Sequence, residues 1–246
     1  MKRSVPISSW QYDAWSRIRR VCEDAEVETV FQPLVELDSN ECIAFEALAR
    51  FPNDRSWTTT DWFATARELG VGEELELAAV VSALDHLVEI PEPAALAINV
   101  SPAVAASDEF FVLVAPVAHR LIIELTEHER VEDYTAVAAA LEDLRRLGAR
   151  IAVDDVGTSS ASLHHVFNLV PDIVKLDLSL TRDIEDVPGA HALASAMVHF
   201  ASSTGALVAA EGIETAAELA LLRELGVDHG QGYLLGKPGP IEAHLN

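Results

Sequence analysis

The chain has 246 residues, 50% of them hydrophobic, and its 40 acidic against 17 basic residues give a formal net charge of −23 at pH 7. This charge argues against nonspecific binding to duplex nucleic acid, because such binding draws its affinity from Lys and Arg side chains that neutralise phosphates. The length suits a single α/β barrel, a fold that routinely uses about 250 residues as one domain.

The distribution of apolar residues argues against insertion into a membrane. The longest stretch without a charged residue, 187–210, contains Gly205 and several His and Ser residues, so it predicts a helix, a turn and a strand instead of a membrane helix. Lys2 and Arg3 open the sequence, but polar residues interrupt the place where a signal sequence has its apolar region. We therefore expect a cytoplasmic protein.

The first twenty residues differ in composition from the rest of the chain. They carry five basic residues and one acidic residue, with Trp10 and Trp15 among them. We predict a leading segment at residues 1–20 and a barrel domain at residues 21–246. The Trp side chains of the leading segment are expected to pack on the barrel while its Arg side chains cover acidic surface; the alternative is a docking arm.

A hairpin pattern opens the barrel region. Residues 30–37 and 42–49 are both strand-like, and Asp38, Ser39 and Asn40 between them are typical turn residues. This arrangement predicts two antiparallel strands joined by a short turn. After the second strand the pattern changes to alternating helices and strands.

The alternating part of the chain predicts a barrel. Three helical segments end in a glycine, at Gly70, Gly148 and Gly226, which suits the left-handed residue that closes a helix. Six apolar runs are candidate strands: 96–100, 121–125, 150–154, 172–176, 206–210 and, more weakly, 228–233. Nearly continuous apolar runs indicate strands buried on both faces. Six alternations favour a closed α/β barrel over an open doubly wound sheet, although the count alone leaves both open.

Acidic, amide and ammonium side chains recur at or near the ends of the apolar runs. They are Glu46, Asn99, Glu124, Asp154, Asp155, Lys175, Glu211 and Gln231. Taken one at a time, such a carboxylate is often only the N-cap of the next helix. On parallel strands the whole set would meet at one rim, where several buried carboxylates require a compensating cation. Lys175 would act either as a functional cation of this rim or as an ion-pair partner of Asp177.

The oxygen ligands of this set suit Mg²⁺ or Mn²⁺. The nine His and two Cys residues are scattered, which argues against a zinc site. The adjacent aspartates Asp154 and Asp155 could serve two metal ions, an arrangement that enzymes use to cleave phosphate esters. The two cysteines are expected to be buried, reduced thiols.

Seven motifs occur in a recognisable order between Phe31 and Pro238: FEALAR, AINVS, IIELTE, AVDDVGT, DIVKLDL, AAEGIET and GQGYLLGKP. This series resembles the EAL domain of cyclic di-GMP phosphodiesterases. The resemblance implies an α/β fold, a TIM-like (β/α)8 barrel with the first barrel strand antiparallel. It also implies hydrolysis of cyclic di-GMP to linear pGpG with Mg²⁺ or Mn²⁺, two ions per site, and it is compatible with a homodimer.

The resemblance also implies roles for individual residues. The implied metal ligands are Glu46, Asn99, Glu124, Asp154, Asp155 and Glu211. Lys175 and Gln231 would hold the hydrolytic water, and Glu211 and Glu46 would complete the catalytic set.

Further implied positions concern the ligand and a loop. Gln32 and Leu48 would line the bed of the ligand, and Arg50 would contact a phosphate. Glu127 would anchor the loop that follows Asp155.

The loop after Asp155 departs from the family pattern. Related sequences usually read DDFGTGYSSL, whereas this chain reads DDVGTSSASL from Asp154 to Leu163. Because Val156 and Ser160 replace aromatic residues and Ser159 replaces glycine, weaker catalysis is expected. Two alternatives follow: a cyclic di-GMP receptor or protein-interaction module with negligible turnover, and a barrel hydrolase that acts on another phosphate ester.

Overall fold

A computed structural model describes residues 9–52, 57–126, 131, 133–157 and 160–245. The chain divides into two compact units. The first comprises Met1–Thr29 and Ala49–His86, and the second comprises Val30–Leu48 and Leu87–Asn246. Each unit is built around its own apolar cluster.

The first unit is helical. Its helices are α1 (Ser9–Glu23), α2 (Thr59–Glu68) and α3 (Gly72–Asp85). Ile18, Trp62 and Leu75 form part of its buried core. Trp10 and Trp15 lie exposed on α1, whereas the guanidinium of Arg17 stacks over the ring of Trp62 at 4.5 Å. The predicted boundary after residue 20 falls inside α1, and the division into a leading segment and a barrel remains a prediction.

The second unit contains most of an eight-stranded closed barrel. The strands are β1 (Glu28–Glu36), β2 (Cys42–Arg50), β3 (Ala95–Val100), β4 (Leu121–Leu125), β5 (Arg150–Val156), β6 (Ile173–Leu176), β7 (Leu207–Ala210) and β8 (His229–Gly230). Neighbouring strands from β2 to β8 are parallel, and β1 pairs with β8 in the antiparallel direction. The predicted TIM-like (β/α)8 barrel with an antiparallel first strand is confirmed, and the open sheet is ruled out.

Helices connect the barrel strands. They are α4 (Pro102–Ala105), α5 (Asp108–Val114), α6 (Tyr134–Arg146), α7 (Ser160–Leu169), α8 (Leu178–Thr181), α9 (Pro188–Thr204) and α10 (Ala216–Leu225), with 3-10 turns at Leu87–Glu89, Ala115–Arg120 and Ile241–His244. Gly70, Gly148 and Gly226 have φ angles of 73°, 96° and 83°, as predicted for helix-closing residues. The stretch 187–210 forms α9, a left-handed Gly205 and β7, again as predicted.

Side-chain alternation places the polar residues inside the barrel. A buried layer of inward-facing residues contains Ala44, Ala97, Ile122, Ala152, Ile173 and Ala209. Successive strand residues point to opposite faces, so the residue two positions further along each strand faces inward again. Those next residues are Glu46, Asn99, Glu124, Asp154, Lys175 and Glu211. The apolar layer therefore closes the barrel beneath a polar layer at the carboxyl ends of the parallel strands.

Two further expectations concern the cysteines and the membrane. Cys22 and Cys42 are both free thiols, but Cys42 is exposed and Cys22 is partly exposed, so the expected burial is wrong. Cys22 packs at the margin of the apolar core of the first unit, and Cys42 begins β2, where no described neighbour covers it fully. Among the described helices, none has the length and apolar character needed to cross a bilayer.

His229 in β8 makes the stability of the fold dependent on pH. Its side chain is buried, and its Nδ1 has no hydrogen-bond partner among the described residues. Burial lowers the pKa of His229 from its usual 6.5, although the charge of Asp228 opposes the shift. The unfolded chain therefore binds this proton more tightly, and the stability contributed by neutral His229 is present above about pH 6.5 and is lost as the pH falls.

We predict that His229→Gln flattens the decline in unfolding free energy below pH 6.5, because the variant has no proton to take up at this position. Urea unfolding at several pH values measures the slope. His199→Gln, a change at an exposed position of α9, is the control and should keep the wild-type slope. Equal slopes in wild type and His229→Gln would contradict the prediction.

Candidate functional site

Lys175 is the centre of an acidic cluster inside the barrel. Its ammonium Nζ lies 2.7 Å from Glu124 Oε2 and 2.7 Å from Glu211 Oε1. It also lies 3.1 Å from Asp154 Oδ1 and 3.5 Å from Glu46 Oε2, and only 1% of the Lys175 side chain is exposed. The carboxylate of Asp177, in contrast, caps α8 by accepting a hydrogen bond from the Ser179 N–H. Lys175 is therefore a cation of the polar layer.

One ammonium faces four carboxylates in this cluster, and burial together with the neighbouring charges shifts the pKa values of Glu124, Glu211 and Lys175. Burial raises the pKa of Glu124 and of Glu211 well above the ordinary range; the Lys175 charge opposes this, while Asp154 and Glu46 add to it. Burial alone would lower the pKa of Lys175, but the four carboxylates outweigh it, and the pKa is raised well above its usual value. Lys175 stays charged, and the two glutamates hold protons more tightly than usual.

Amide side chains hold Glu46 from the other side. Asn99 Nδ2 donates to Glu46 Oε1 at 2.8 Å, and Gln231 Nε2 donates to Glu46 Oε2 at 2.6 Å. Gln231 Nε2 also donates to Gln32 Oε1 at 3.0 Å, and Gln32 Nε2 donates to the Gly236 carbonyl at 2.9 Å. Gln231 Oε1 is buried and accepts no hydrogen bond from the described residues. It is a free acceptor beside the acidic cluster.

A close backbone approach positions Gln231. The next residue, Gly232, has a φ of 158°, and a Cβ atom there would lie 2.2 Å from the backbone N and O of Ile213. The Ile213 N–H donates to the Gln231 carbonyl at 3.0 Å. A residue with a side chain at position 232 would separate these two segments, so the glycine allows Gln231 to lie beside Glu46.

Asp155 joins the cluster because the end of β5 is irregular. The strand pairing with β6 shifts between Val153 and Val156, and Asp155 has a φ of 53° in the left-handed region. Asp is one of the few residues with a side chain that adopts this conformation readily. As a result, carboxylate oxygens of Asp154, Asp155 and Glu211 lie within 4.8 Å of one another.

This group of oxygens fits a divalent cation. Asp154 Oδ1 is buried, and its one charged contact among the described residues is the Lys175 ammonium at 3.1 Å, which it shares with three other carboxylates. A buried carboxylate that shares its cation in this way is costly unless another positive group compensates it. Three carboxylates within reach of one point, together with nearby amide and carboxylate oxygens, form the type of ligand set that Mg²⁺ and Mn²⁺ prefer.

A cavity of about 350 Å³ opens onto this cluster. Glu46, Asp154 and Glu211 reach both the cavity and the Lys175 ammonium. The predicted substrate residues Gln32 and Leu48 and the predicted catalytic residue Gln231 line the same cavity. The volume lies in the range of small-molecule sites.

The roles of two predicted site residues remain predictions. Arg50 belongs to the first unit, where it lines a cavity of about 450 Å³ with Phe51, Trp57 and Trp62, and its Nη1 donates to the Ala49 carbonyl. Its contact with a ligand phosphate remains a prediction. Glu127 lies outside the described residues, and so do positions 158 and 159 of the loop after Asp155.

The substitution at Val156 leaves a filled core position. Val156 ends β5, pairs with Leu176 and is fully buried in the cluster that also contains Leu180. A phenylalanine here would have to displace packed neighbours, and such overpacking costs about 1–3 kcal/mol. The surrounding core is therefore adapted to valine, and restoring the family residue at this single position would strain it.

A charged pair that no sequence pattern indicated also lines the cavity. Arg182 Nη2 lies 2.5 Å from Glu214 Oε1. Glu214 could have been noticed, because it lies in the motif AAEGIET three residues after Glu211. Arg182 follows the one-turn helix α8 and carries no strand-end pattern that would have drawn attention to it.

The comparison with known sequences gives a family. The sequence model of the EAL domain matches residues 15–238. A cyclic di-GMP phosphodiesterase of Pseudomonas aeruginosa is 32% identical over 221 residues, which cover 85% of this chain and 38% of that protein. The chain spans 28%, 29% and 38% of the lengths of three curated relatives that it matches.

Two solved structures are similar in fold and sequence. The PaMucR phosphodiesterase in a c-di-GMP complex is 26% identical, with a TM-score of 0.79 and coverage of 95% of this chain and 100% of that chain. Klebsiella pneumoniae BlrP1 with manganese and cyclic di-GMP is also 26% identical, with a TM-score of 0.76 and coverage of 87% and 56%.

We predict that Lys175→Met destabilises the metal-free protein by about 3 kcal/mol or more, because it leaves buried carboxylates without their ammonium partner. Added Mn²⁺ should recover part of this loss by neutralising the same carboxylates. Urea unfolding with and without Mn²⁺ measures both effects. Lys237→Met is the matched control, since Lys237 is exposed and its ammonium lies 5.4 Å from the Tyr233 ring. A Lys175→Met variant as stable as this control would refute the central role of Lys175.

Metal binding should depend on pH, because the raised pKa values of Glu124 and Glu211 make protons compete with the metal. We predict that Mn²⁺ binding releases protons and weakens as the pH falls. Calorimetry in buffers of different ionisation enthalpy measures the proton number. Glu124→Gln should release fewer protons, and Glu224→Gln, at an exposed position of α10, should match the wild type. Proton-free binding by the wild type would contradict this account of the cluster.

Proposed function

The chain belongs to the EAL domain family, and we propose that it is a metal-dependent phosphodiesterase that hydrolyses cyclic di-GMP to linear pGpG. The observation that supports this proposal most strongly is the placement of the acidic cluster. Glu46, Asp154 and Glu211 face an open cavity on one side and a buried ammonium on the other. A phosphodiester in that cavity would meet ligands for divalent ions and a fixed positive charge together.

The proposed metal ligands are the oxygen donors of the cluster. They are Glu46, Asn99, Glu124, Asp154, Asp155 and Glu211, for Mg²⁺ or Mn²⁺ and two ions per site. When bound, such ions neutralise the charge of a phosphate and make a water more acidic. The spacing of Asp154, Asp155 and Glu211 and the excess of carboxylates over the single Lys175 ammonium support this assignment.

The protein side chains would orient the reacting groups. The free acceptor Gln231 Oε1 would bind one proton of the attacking water, and the Lys175 ammonium would hold the anionic group formed at phosphorus. Glu46 is held in place by Asn99 and Gln231. Glu211 would take part in proton transfer as the water adds to phosphorus and the ribose oxygen leaves. Gln32 and Leu48 would contact the ligand beside the reacting phosphate.

A second candidate function follows from the loop after Asp155. The chain would then be a cyclic di-GMP receptor or protein-interaction module that retains the cavity but turns over negligibly. The departure from the family pattern at Val156, Ser159 and Ser160 favours this alternative. The cluster around Lys175 favours catalysis, because four carboxylates share one ammonium there and a receptor needs the cavity but has no need of that excess negative charge. A hydrolase of another phosphate ester is the third candidate.

The assembly and location are also proposals. Phe167 and Val170, near the end of α7, are exposed apolar residues that a second copy of the chain could cover in a homodimer. The excess of acidic residues still argues against duplex nucleic acid as a partner. Cytoplasmic location remains an expectation.

We predict that the purified chain converts cyclic di-GMP to pGpG with Mg²⁺ or Mn²⁺ and does not do so with EDTA. Asp154→Asn should lower turnover by about 100-fold or more, the scale of a lost charged contact at a reacting centre. Chromatographic separation of substrate and product measures both. Asp143→Asn is the control, since Asp143 lies on α6 and pairs with Arg146 on the helix surface.

Folded wild type that binds cyclic di-GMP but forms no pGpG with either metal would establish the receptor alternative. Folded wild type that hydrolyses a different phosphate ester faster than cyclic di-GMP would establish the third candidate. Normal turnover by Asp154→Asn would remove Asp154 from the proposed ligand set.

A further inference from the structure

The ion pair of Arg182 and Glu214 lines the cavity but takes no part in the proposed hydrolysis. Arg182 and Glu214 both line the cavity, and 49% and 44% of their side chains are exposed. Glu46, Asp154 and Glu211, which contact Lys175 and line the same cavity, are more deeply buried. Of the described residues that line the cavity, Arg182 is the one with a cationic side chain. The pair therefore lies where a ligand would extend away from its reacting phosphate.

The buried carboxylate of Glu218 binds the backbone of both segments that carry the pair. Glu218 Oε1 accepts from the Asp183 N–H at 3.2 Å, and Glu218 Oε2 accepts from the Glu214 N–H at 2.8 Å. Glu218 also completes the capping box of α10 with Thr215. The residue after Arg182 and the backbone of Glu214 are thus tied to one side chain, so the two charged groups start from fixed positions.

The pair presents donors and acceptors side by side. A guanidinium has five N–H donors and no acceptor, and an ionised carboxylate has only acceptors. The contact with Glu214 uses Nη2 of Arg182 and Oε1 of Glu214. Further N–H groups of the guanidinium and the second carboxylate oxygen remain for a ligand, without any need to break the ion pair.

We propose that Arg182 and Glu214 together recognise a guanine base of the ligand, with Arg182 as the residue that determines base specificity. Guanine carries two neighbouring acceptors, N7 and O6, which match the guanidinium fork. Its adjacent N1–H and N2 amino groups are donors that match the carboxylate. This inference rests on the proposed function, because it assigns the base of the same dinucleotide whose phosphate lies at the acidic cluster.

Adenine is rejected by the same arrangement. Its N6 amino group is a donor in the place of O6, so it would face the donors of Arg182. Its N1 is an acceptor and would face the carboxylate of Glu214. Unpaired polar groups in a binding site are what separates two similar ligands most strongly. The pair thus provides both an attraction for guanine and a repulsion for adenine.

Calorimetric titration of the full chain with cyclic di-GMP and with cyclic di-AMP, in the presence of Ca²⁺, tests the proposal. The wild type should bind the guanine ligand at least about tenfold more tightly, the scale of one bidentate contact to a base. Arg182→Gln should lose about that factor for cyclic di-GMP and little for cyclic di-AMP. Arg182→Lys keeps the charge but not the planar fork, so it should not restore the preference.

The control variant is Arg146→Gln, which removes an exposed arginine from the surface of α6. It should show the wild-type affinities for both ligands. Circular dichroism and urea unfolding of every variant show whether the fold is intact. Glu214→Gln tests the other half of the pair. The glutamine amide keeps one acceptor for the guanine N1–H but places an N–H donor next to it, where the carboxylate has a second acceptor.

The outcomes separate this proposal from the proposed function. Wild type that prefers cyclic di-GMP, with the preference intact in folded Arg182→Gln, overturns the base assignment alone. Equal losses for both ligands, restored by Arg182→Lys, also overturn it, since that result assigns Arg182 to phosphate charge. Wild type that binds neither ligand overturns both proposals. Guanine preference lost in Arg182→Gln, even without any pGpG formation, supports the base assignment while the hydrolytic function fails.

Discussion

The contact of one buried ammonium with four carboxylates is the constraint on which the site depends. Lys175 lies within 3.5 Å of oxygens from Glu46, Glu124, Asp154 and Glu211. Without this cation the carboxylates would repel one another in a largely buried region, and with it they still carry excess negative charge. Lys175 therefore reduces the repulsion enough for the barrel to fold, but it does not neutralise all four carboxylates. The remaining negative charge favours the binding of divalent cations at this site.

The barrel makes this cluster possible by separating an apolar layer from a polar layer. Ala97, Ile122 and Ala152 face inward, and the polar side chains follow two residues later on the same strands. The antiparallel β1 adds the amide of Gln32, which reaches Gln231 from the opposite strand direction. Hydrogen-bonded amides then hold Glu46 at a fixed orientation, so its carboxylate is kept beside Lys175 when no ligand is bound.

The deep and outer parts of the cavity differ in charge. The deep part is negative, because Glu46, Asp154 and Glu211 lie there, whereas the opposite charges of Arg182 and Glu214 balance each other further out. A ligand with a phosphate and a base would place the phosphate against the metal ligands and the base against the pair. Glu218 connects the two backbone segments that carry the pair, so an ordinary helix cap also orders the outer part of the cavity.

The sequence by itself determined the family through the order of its motifs, and that resemblance implied the closed barrel, which the count of alternations alone left open. The strand-end positions placed Glu46, Glu124 and Lys175 on one rim. The hairpin and the helix-closing glycines were equally visible, since turn and cap residues act locally. Asp155 was also expected at the cluster, but only the tertiary structure showed how it reaches it, through a left-handed residue in an irregular strand, and only the tertiary structure paired Arg182 with Glu214. Those two features depend on a strand irregularity and on a contact between loops 32 positions apart, neither of which a periodic pattern encodes. The exposed position of Cys42 was misjudged for the same reason, because burial at the first residue of a strand is decided by what packs over it.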